Sequence, residues 1–125
     1  MNIAIDMDNT IMQCPVFFRV LTQALAGQHA IHILTNRDPT RRAETVQELA
    51  DFGIHYDHLR ITAEKAVYII DRGIEVFFED TDEYFLELPE SVAVFKMREP
   101  GNFNFQTQRW IYGDRTGERI GKGKA

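Results

Sequence analysis

Residues 2–10 read Asn2-Ile3-Ala4-Ile5-Asp6-Met7-Asp8-Asn9-Thr10. Ile3, Ala4 and Ile5 form a short apolar run that ends abruptly in acids, which predicts a buried strand over Asn2 to Asp6. Two carboxylates and a hydroxyl stand where the run stops. The rest of the chain is to be judged by whether it supplies more strands of this kind, with polar tips to match.

It does. Pro15 suits a first helical turn, and Val16, Phe17, Val20, Leu21, Ala24 and Leu25 recur at helical spacing up to Gly27. Ala30 to Thr35 predicts a second strand. Asp38 and Pro39 read as an N-cap and first turn, with Ala43, Val46, Leu49 and Ala50 as the expected buried stripe of the next helix. Gly53 ends it, and His58 to Thr62 predicts a third strand. Thr62 caps a helix whose Ala63, Ala66, Val67 and Ile70 are expected to face inward, closed by Gly73. Glu75 to Glu79 predicts a fourth strand, Asp82 to Leu88 a short helix, and Val92 to Phe95 a fifth strand. Strands alternating with helices at this spacing predict a Rossmann-like three-layer α/β/α sandwich around a central, mostly parallel five-stranded sheet. Beyond Pro100 the pattern fades, and a hairpin over Trp110 to Ile120, turning at Asp114 to Gly117, is the expectation for the tail. The expected core is residues 1–97, with 98–125 an extension of one single domain.

Composition limits what such a chain does. At 125 residues it is one domain, long enough to hide roughly two-thirds of its unfolded surface. Hydrophobic residues at 44% and charged residues at 26% exclude disorder and fibres. No apolar run approaches the ~20 residues needed to span a bilayer. The amino end carries no basic leader, and the single cysteine, Cys14, excludes an intramolecular disulfide framework, so a cytoplasmic protein is expected. A net charge of −5 speaks against general nucleic-acid affinity. Residues 75–95 hold Glu75, Glu79, Asp80, Asp82, Glu83, Glu87 and Glu90 with no lysine or arginine, whereas Arg115, Arg119, Lys122 and Lys124 make the tail basic.

In parallel α/β sheets, ligands bind beyond the carboxyl ends of the strands. At those ends the sequence places Asp6, Asp8 and Thr10, then Thr35, Asn36 and Arg37, then Lys65 in the first turn of the third helix, then Glu79 and Asp80. Carboxylates converging from different strands repel one another unless a cation joins them. Oxygen donors without clustered histidine or cysteine suit a hard ion, Mg²⁺ above all. Lys65 is placed to balance a phosphoryl group and Thr35 to hydrogen-bond it, the setting for Mg²⁺-dependent phosphate chemistry.

The same residues resemble a known family. DMDNT on the first strand, ILTNR on the second, Lys65, and FFEDTD on the fourth are similar, in order and placement, to the four motifs of the haloacid dehalogenase (HAD) superfamily, over residues 2–95. The resemblance implies that Asp6 attacks phosphorus and becomes an aspartyl-phosphate, and that Asp8 is the general acid and base. It implies a phosphatase acting on phosphate monoesters, with Mg²⁺ held by Asp6, the Asp8 backbone carbonyl and Asp80, with Glu79 behind them and Asp82 a further candidate ligand. Thr35 and Lys65 would hold phosphoryl oxygens, and Thr10, Asn36 and Arg37 would meet substrate. Asn9 stands where such loops often have glycine.

Other readings are weaker in spacing. Cys14 and Arg19 are one residue short of the cysteine-phosphatase loop, and Gly117 to Lys122 is one short of a P-loop. His55 and His58 lack further ligands nearby, and Phe103, Phe105 and Trp110 read as packing residues. A receiver-like phospho-acceptor would need an Asp after the third strand, where none follows Leu59 to Thr62, although Lys96 fits its lysine position. A phosphate-binding protein on the same fold is the non-enzymatic alternative. Only 20 residues separate Thr10 from Ile31, and 27 separate Arg37 from Lys65, so neither gap houses a cap domain. An open site is expected, taking a small phosphorylated molecule or a macromolecular end and shielded by that substrate, by the tail, or by a second copy in a homo-oligomer.

Overall fold

Strand β1 (Asn2–Ile5) lies at the centre of a sheet in which every pairing is parallel. A computed structural model describes residues 1–111 of the chain. The basic tail from Asp114 to Ala125, and all but the first two residues of the hairpin expected over Trp110 to Ile120, lie outside the described residues. The other strands are β2 (Ala30–Thr35), β3 (His58–Ile61), β4 (Val76–Glu79) and β5 (Ala93–Lys96), arranged in the order β3-β2-β1-β4-β5. The expected mostly parallel sheet is thus wholly parallel, as crossovers through helices require.

Side-chain alternation fixes the two faces. Ile3 and Ile5 meet Ile31 and Ile33 on one face, where α1 (Pro15–Leu25) and α2 (Arg42–Phe52) bring Phe18 and Leu49 onto them. Ala4, Leu34 and Phe77 point to the other, where α3 (Lys65–Asp71) supplies Tyr68 and Ile69. Helices on both faces make the Rossmann-like sandwich that the alternation predicts. Asp38 caps the turn before α2 by accepting from Thr40 N at 2.9 Å, and Gly53 ends α2 at φ +70°, the left-handed region that glycine enters without strain.

All three helices depart from the phase that apolar spacing gives. In α1, Phe18 and Thr22 are buried while Val16, Phe17 and Val20 are exposed, and α2 and α3 are rotated as well. In α2, Leu49 is buried, but Ala43, Val46 and Ala50 face outward and Thr45 lies inside. In α3, Val67 and Ile70 are exposed, while Lys65, Tyr68 and Ile69 are buried. In α2 and α3 the reason is polar. Thr45 packs over Arg37, Lys65 reaches Asp6, and the Tyr68 hydroxyl meets His32 Nδ1 at 2.8 Å. A buried polar group without a partner costs more than an aliphatic side chain left in water, so these contacts set the helix phase.

After β5 the chain forms a small hairpin, β6 (Phe103–Asn104) paired with β7 (Arg109–Trp110), earlier than expected. Phe103 is buried and packs edge-on against Phe105 and Trp110, as packing residues should. Cys14 is partly buried against the core on the α1 side. Among the described residues, no helix is long and apolar enough to cross a membrane.

Candidate active site

The strand order runs outward from β1 in both directions, which opens a crevice at the carboxyl ends of β1, β2 and β4. The crevice measures about 160 Å³ and is lined by Asp6, Asp8, Asn9, Thr35, Asn36, Lys65, Glu79, Asp80, Thr81 and Tyr84. Tertiary structure therefore brings to one place most of the residues that the sequence set at strand tips.

Asp6 is anchored through its backbone, its N–H donating to Phe78 O at 3.0 Å across the β1–β4 junction. The chain then makes a tight turn in which Ile11 N donates to Asp6 O and Met12 N to Met7 O, at 3.3 and 3.0 Å. Asn9 sits in that turn at φ +62°, a region where asparagine is tolerated better than most side chains. That is why it stands where a glycine is common. Thr10 is fully buried, and its hydroxyl donates to Asp6 Oδ2 at 3.2 Å. It orients the carboxylate from behind and does not line the crevice.

Lys65 stands at the first position of α3, 2% exposed. Its ammonium donates to Asp6 Oδ1 at 2.8 Å and to Glu79 Oε1 at 2.6 Å, and lies 4.3 Å from the centre of the Tyr84 ring. Burial works against the lysine's charge, but the two carboxylates more than offset it and raise its pKa. Burial likewise pushes the Asp6 carboxyl up, with Lys65 opposing and Asp80 adding to the rise. Glu79 is pushed up too, first by burial and then by Asp6. One cation shared among buried acids leaves negative charge to be balanced.

The acids are arranged to receive that balance. Asp6, Glu79 and Asp80 each offer one carboxylate oxygen, all within 4.8 Å of one another. Glu79 spends its other oxygen on the backbone N–H groups of Asp80 and Thr81, at 3.1 and 3.2 Å, so it shapes the loop that presents Asp80. A hard oxygen-seeking cation fits such a donor set. Asp82, by contrast, is turned toward Lys96.

Thr35 closes β2 with 1% exposure, and its Oγ1 has no hydrogen-bond partner. A buried hydroxyl facing a crevice without a partner is suited to an oxygen that arrives with a ligand. Asn36 lines the opening and donates to the Tyr84 hydroxyl at 3.0 Å.

Arg37 does not project into the crevice. Its guanidinium grips Asp8 with two bonds, Nη2 to Oδ1 at 2.8 Å and Nε to Oδ2 at 3.1 Å. Nη1 also donates to Thr45 Oγ1 at 3.0 Å and to Glu48. The Arg37 hydrogen bonds hold the Asp8 carboxyl below its ordinary pKa, against a smaller opposing effect of burial.

The sequence reading missed four participants. Tyr84 lies within the acidic stretch with nothing in its spacing to single it out. Thr45 and Glu48 sit on what looked like the polar side of α2. Asn102 comes from the segment of faded pattern, yet its Nδ2 donates to Asp80 O at 2.8 Å and to Met97 O at 2.7 Å.

No protein-family model, curated protein or solved structure matches the chain.

Proposed function

We propose that this protein is a Mg²⁺-dependent hydrolase of phosphate monoesters, a capless phosphatase of the HAD type. What carries the reading is the conjunction of the Asp6–Glu79–Asp80 oxygen cluster, the shared Lys65 ammonium and the partnerless Thr35 hydroxyl at one crevice. Asp6, Asp80 and the backbone of Asp8 would hold Mg²⁺. When bound, the ion offsets negative charge on acid and phosphate oxygens.

The remaining work falls to the chain's own groups. Thr35 donates to one phosphoryl oxygen, and Lys65 balances another while keeping Asp6 ionised. An Asp6 carboxylate oxygen attacks phosphorus, forming the Asp6–phosphorus bond as the phosphorus–oxygen bond to the leaving group breaks. Asp8 delivers its proton to that departing oxygen. Water then attacks phosphorus, Asp8 takes the water's proton, and Asp6 leaves as a carboxylate with inorganic phosphate released. Asp8 must swing off Arg37 to do this.

That clamp also favours a second reading. An Asp8 kept ionised by Arg37 is a poor proton donor, so Asp6 could be phosphorylated and turn over slowly, as a phospho-acceptor does. Hydrolysis of p-nitrophenyl phosphate with Mg²⁺ tests both. Steady turnover abolished by EDTA, restored by Mg²⁺ and lost in Asp6→Asn is expected. Turnover that persists in Asp6→Asn overturns the nucleophile assignment, and a stable phosphoprotein without turnover selects the acceptor.

A further inference from the structure

A second groove, about 550 Å³, adjoins the crevice between the start of α3 and the short helical turn Asp82–Phe85. The two spaces share Lys65 and Tyr84 in their linings, which places the groove next to the crevice. On the groove's walls are Ala63, Val67 and Leu86, and the outward turn of Val67 that departs from the expected helix phase faces this space. Glu64, Glu83 and Glu87 also line it. Its lining holds no cation besides Lys65, whose charge is already directed at Asp6 and Glu79. Glu83 and Glu87 of the acidic stretch that the sequence singled out are thus gathered beside the site with Glu64, where they play no part in the chemistry described above.

We infer that this groove receives the leaving group, and that the substrates are phosphate monoesters of amino alcohols, with the ammonium end among Glu64, Glu83 and Glu87. The inference rests on the hydrolase reading for the position of the phosphate. Apolar walls accept a short carbon chain, while three carboxylates attract a cation and repel an anion at the far end. A substrate of this kind is a zwitterion near neutral pH, which suits an acidic protein better than a polyanion. Phosphorylated nucleic-acid ends and bisphosphates are disfavoured by the same charges.

Three esters of similar size separate the outcomes: phosphoethanolamine with a cationic end, n-propyl phosphate with a neutral one, and phosphoglycolate with an anionic one. Their binding to the full chain with Mg²⁺ is measured by calorimetry at low salt, with inorganic phosphate as reference. The expected order is cationic, neutral, anionic, with a spread of roughly tenfold that narrows as salt is added. Glu83→Lys combined with Glu87→Lys, both at exposed positions, is expected to reverse the order, with melting curves to verify folding. Equal affinities in the unmodified chain, an anionic preference, a spread unmoved by the double variant, or no binding at all overturns the groove assignment. Turnover of the same esters is scored separately. Ordered binding without hydrolysis would retain the groove and reject the hydrolase, and hydrolysis without order would do the reverse.

Discussion

Arg37 and Asp8 form a two-bond ion pair between the tip of β2 and the turn after β1, with the arginine side chain 1% exposed and the aspartate 53% exposed. The geometry is asymmetric in a useful way. The arginine is fixed from beneath by Thr45 and Glu48, whereas the aspartate can leave for solvent or substrate without disturbing the core.

Replacing Arg37 therefore has two separable effects. Arg37→Lys keeps a cation but loses the planar fork, and leaves Thr45 and Glu48 poorly served, so a loss of about 3 kcal/mol in urea denaturation is expected. Released from the guanidinium, the Asp8 carboxyl rises from its depressed pKa. If Asp8 is the proton donor, the descending limb of the pH–kcat profile moves to higher pH. A limb that stays in place would show that the pair does not tune catalysis.

Lys65 is the cation on which two buried acids depend. In Lys65→Met, Asp6 and Glu79 lose it, and a destabilisation of about 3–5 kcal/mol at pH 7 is expected. Without the ammonium the folded-state pKa of both acids rises further above the unfolded values. The deficit should therefore be greatest at alkaline pH and shrink as pH falls and the carboxyls take up protons. Chemical denaturation of the variant between pH 5 and 8 checks the sign, and a deficit that grows toward acid would contradict it.

Asn102 links the segment after β5 to the loop that presents Asp80. Besides its two donated bonds, its Oδ1 accepts from Glu99 N at 2.8 Å, so all of its polar atoms are engaged. Asn102→Ala strands the Glu99 N–H and two carbonyls, at a cost of about 2–3 kcal/mol. Because one of those carbonyls belongs to Asp80, the rise in melting temperature produced by Mg²⁺ should also shrink relative to the unmodified chain. Differential scanning fluorimetry with and without Mg²⁺ reads both effects. A variant that is merely less stable, with its Mg²⁺ response intact, would place Asn102 outside the site's support.

His32 makes stability depend on pH away from the crevice. It is 2% exposed and stacks on His58 at 4.6 Å. Nδ1 accepts from the Tyr68 hydroxyl at 2.8 Å, and Nε2 lies 3.0 Å from Asn2 Oδ1, an arrangement the neutral ring satisfies in full. Burial lowers its pKa to about 4, helped by His58 and Arg72 and opposed by Asp57. The unfolded chain, with an ordinary histidine, binds the proton more readily. Stability from this group is present above pH ~6.5 and is lost as pH falls toward 4, by up to about 3 kcal/mol. His32→Gln should flatten the thermal-stability curve over that window, and an unchanged slope would assign the acid sensitivity elsewhere.

The strands and their polar tips were legible because each is a local pattern. Ile3 to Ile5 and Ala30 to Thr35 are short apolar runs, and the residue that follows each run stands at the carboxyl end of its strand whatever the fold's details. The phases of the helices were not legible: in α1 the buried residues are Phe18 and Thr22, not Val16, Phe17 and Val20, and α2 and α3 are turned as well. Apolar periodicity pointed Val46, Val67 and Ile70 inward, and it was overridden by Arg37, Lys65 and Tyr68, whose polar ends needed partners on other elements.

The sequence alone determined which residue types stand at the ends of which strands, because strand and helix periods are properties of neighbouring residues. Only the tertiary structure decided how those residues share their charges. Lys65 and Asp6 are far apart in the chain, as are Arg37 and Asp8, and Asn102 and Asp80. Burial makes each group's charge or hydrogen-bond capacity depend on the partner that packing brings within 3 Å or so, and no local pattern encodes that partner.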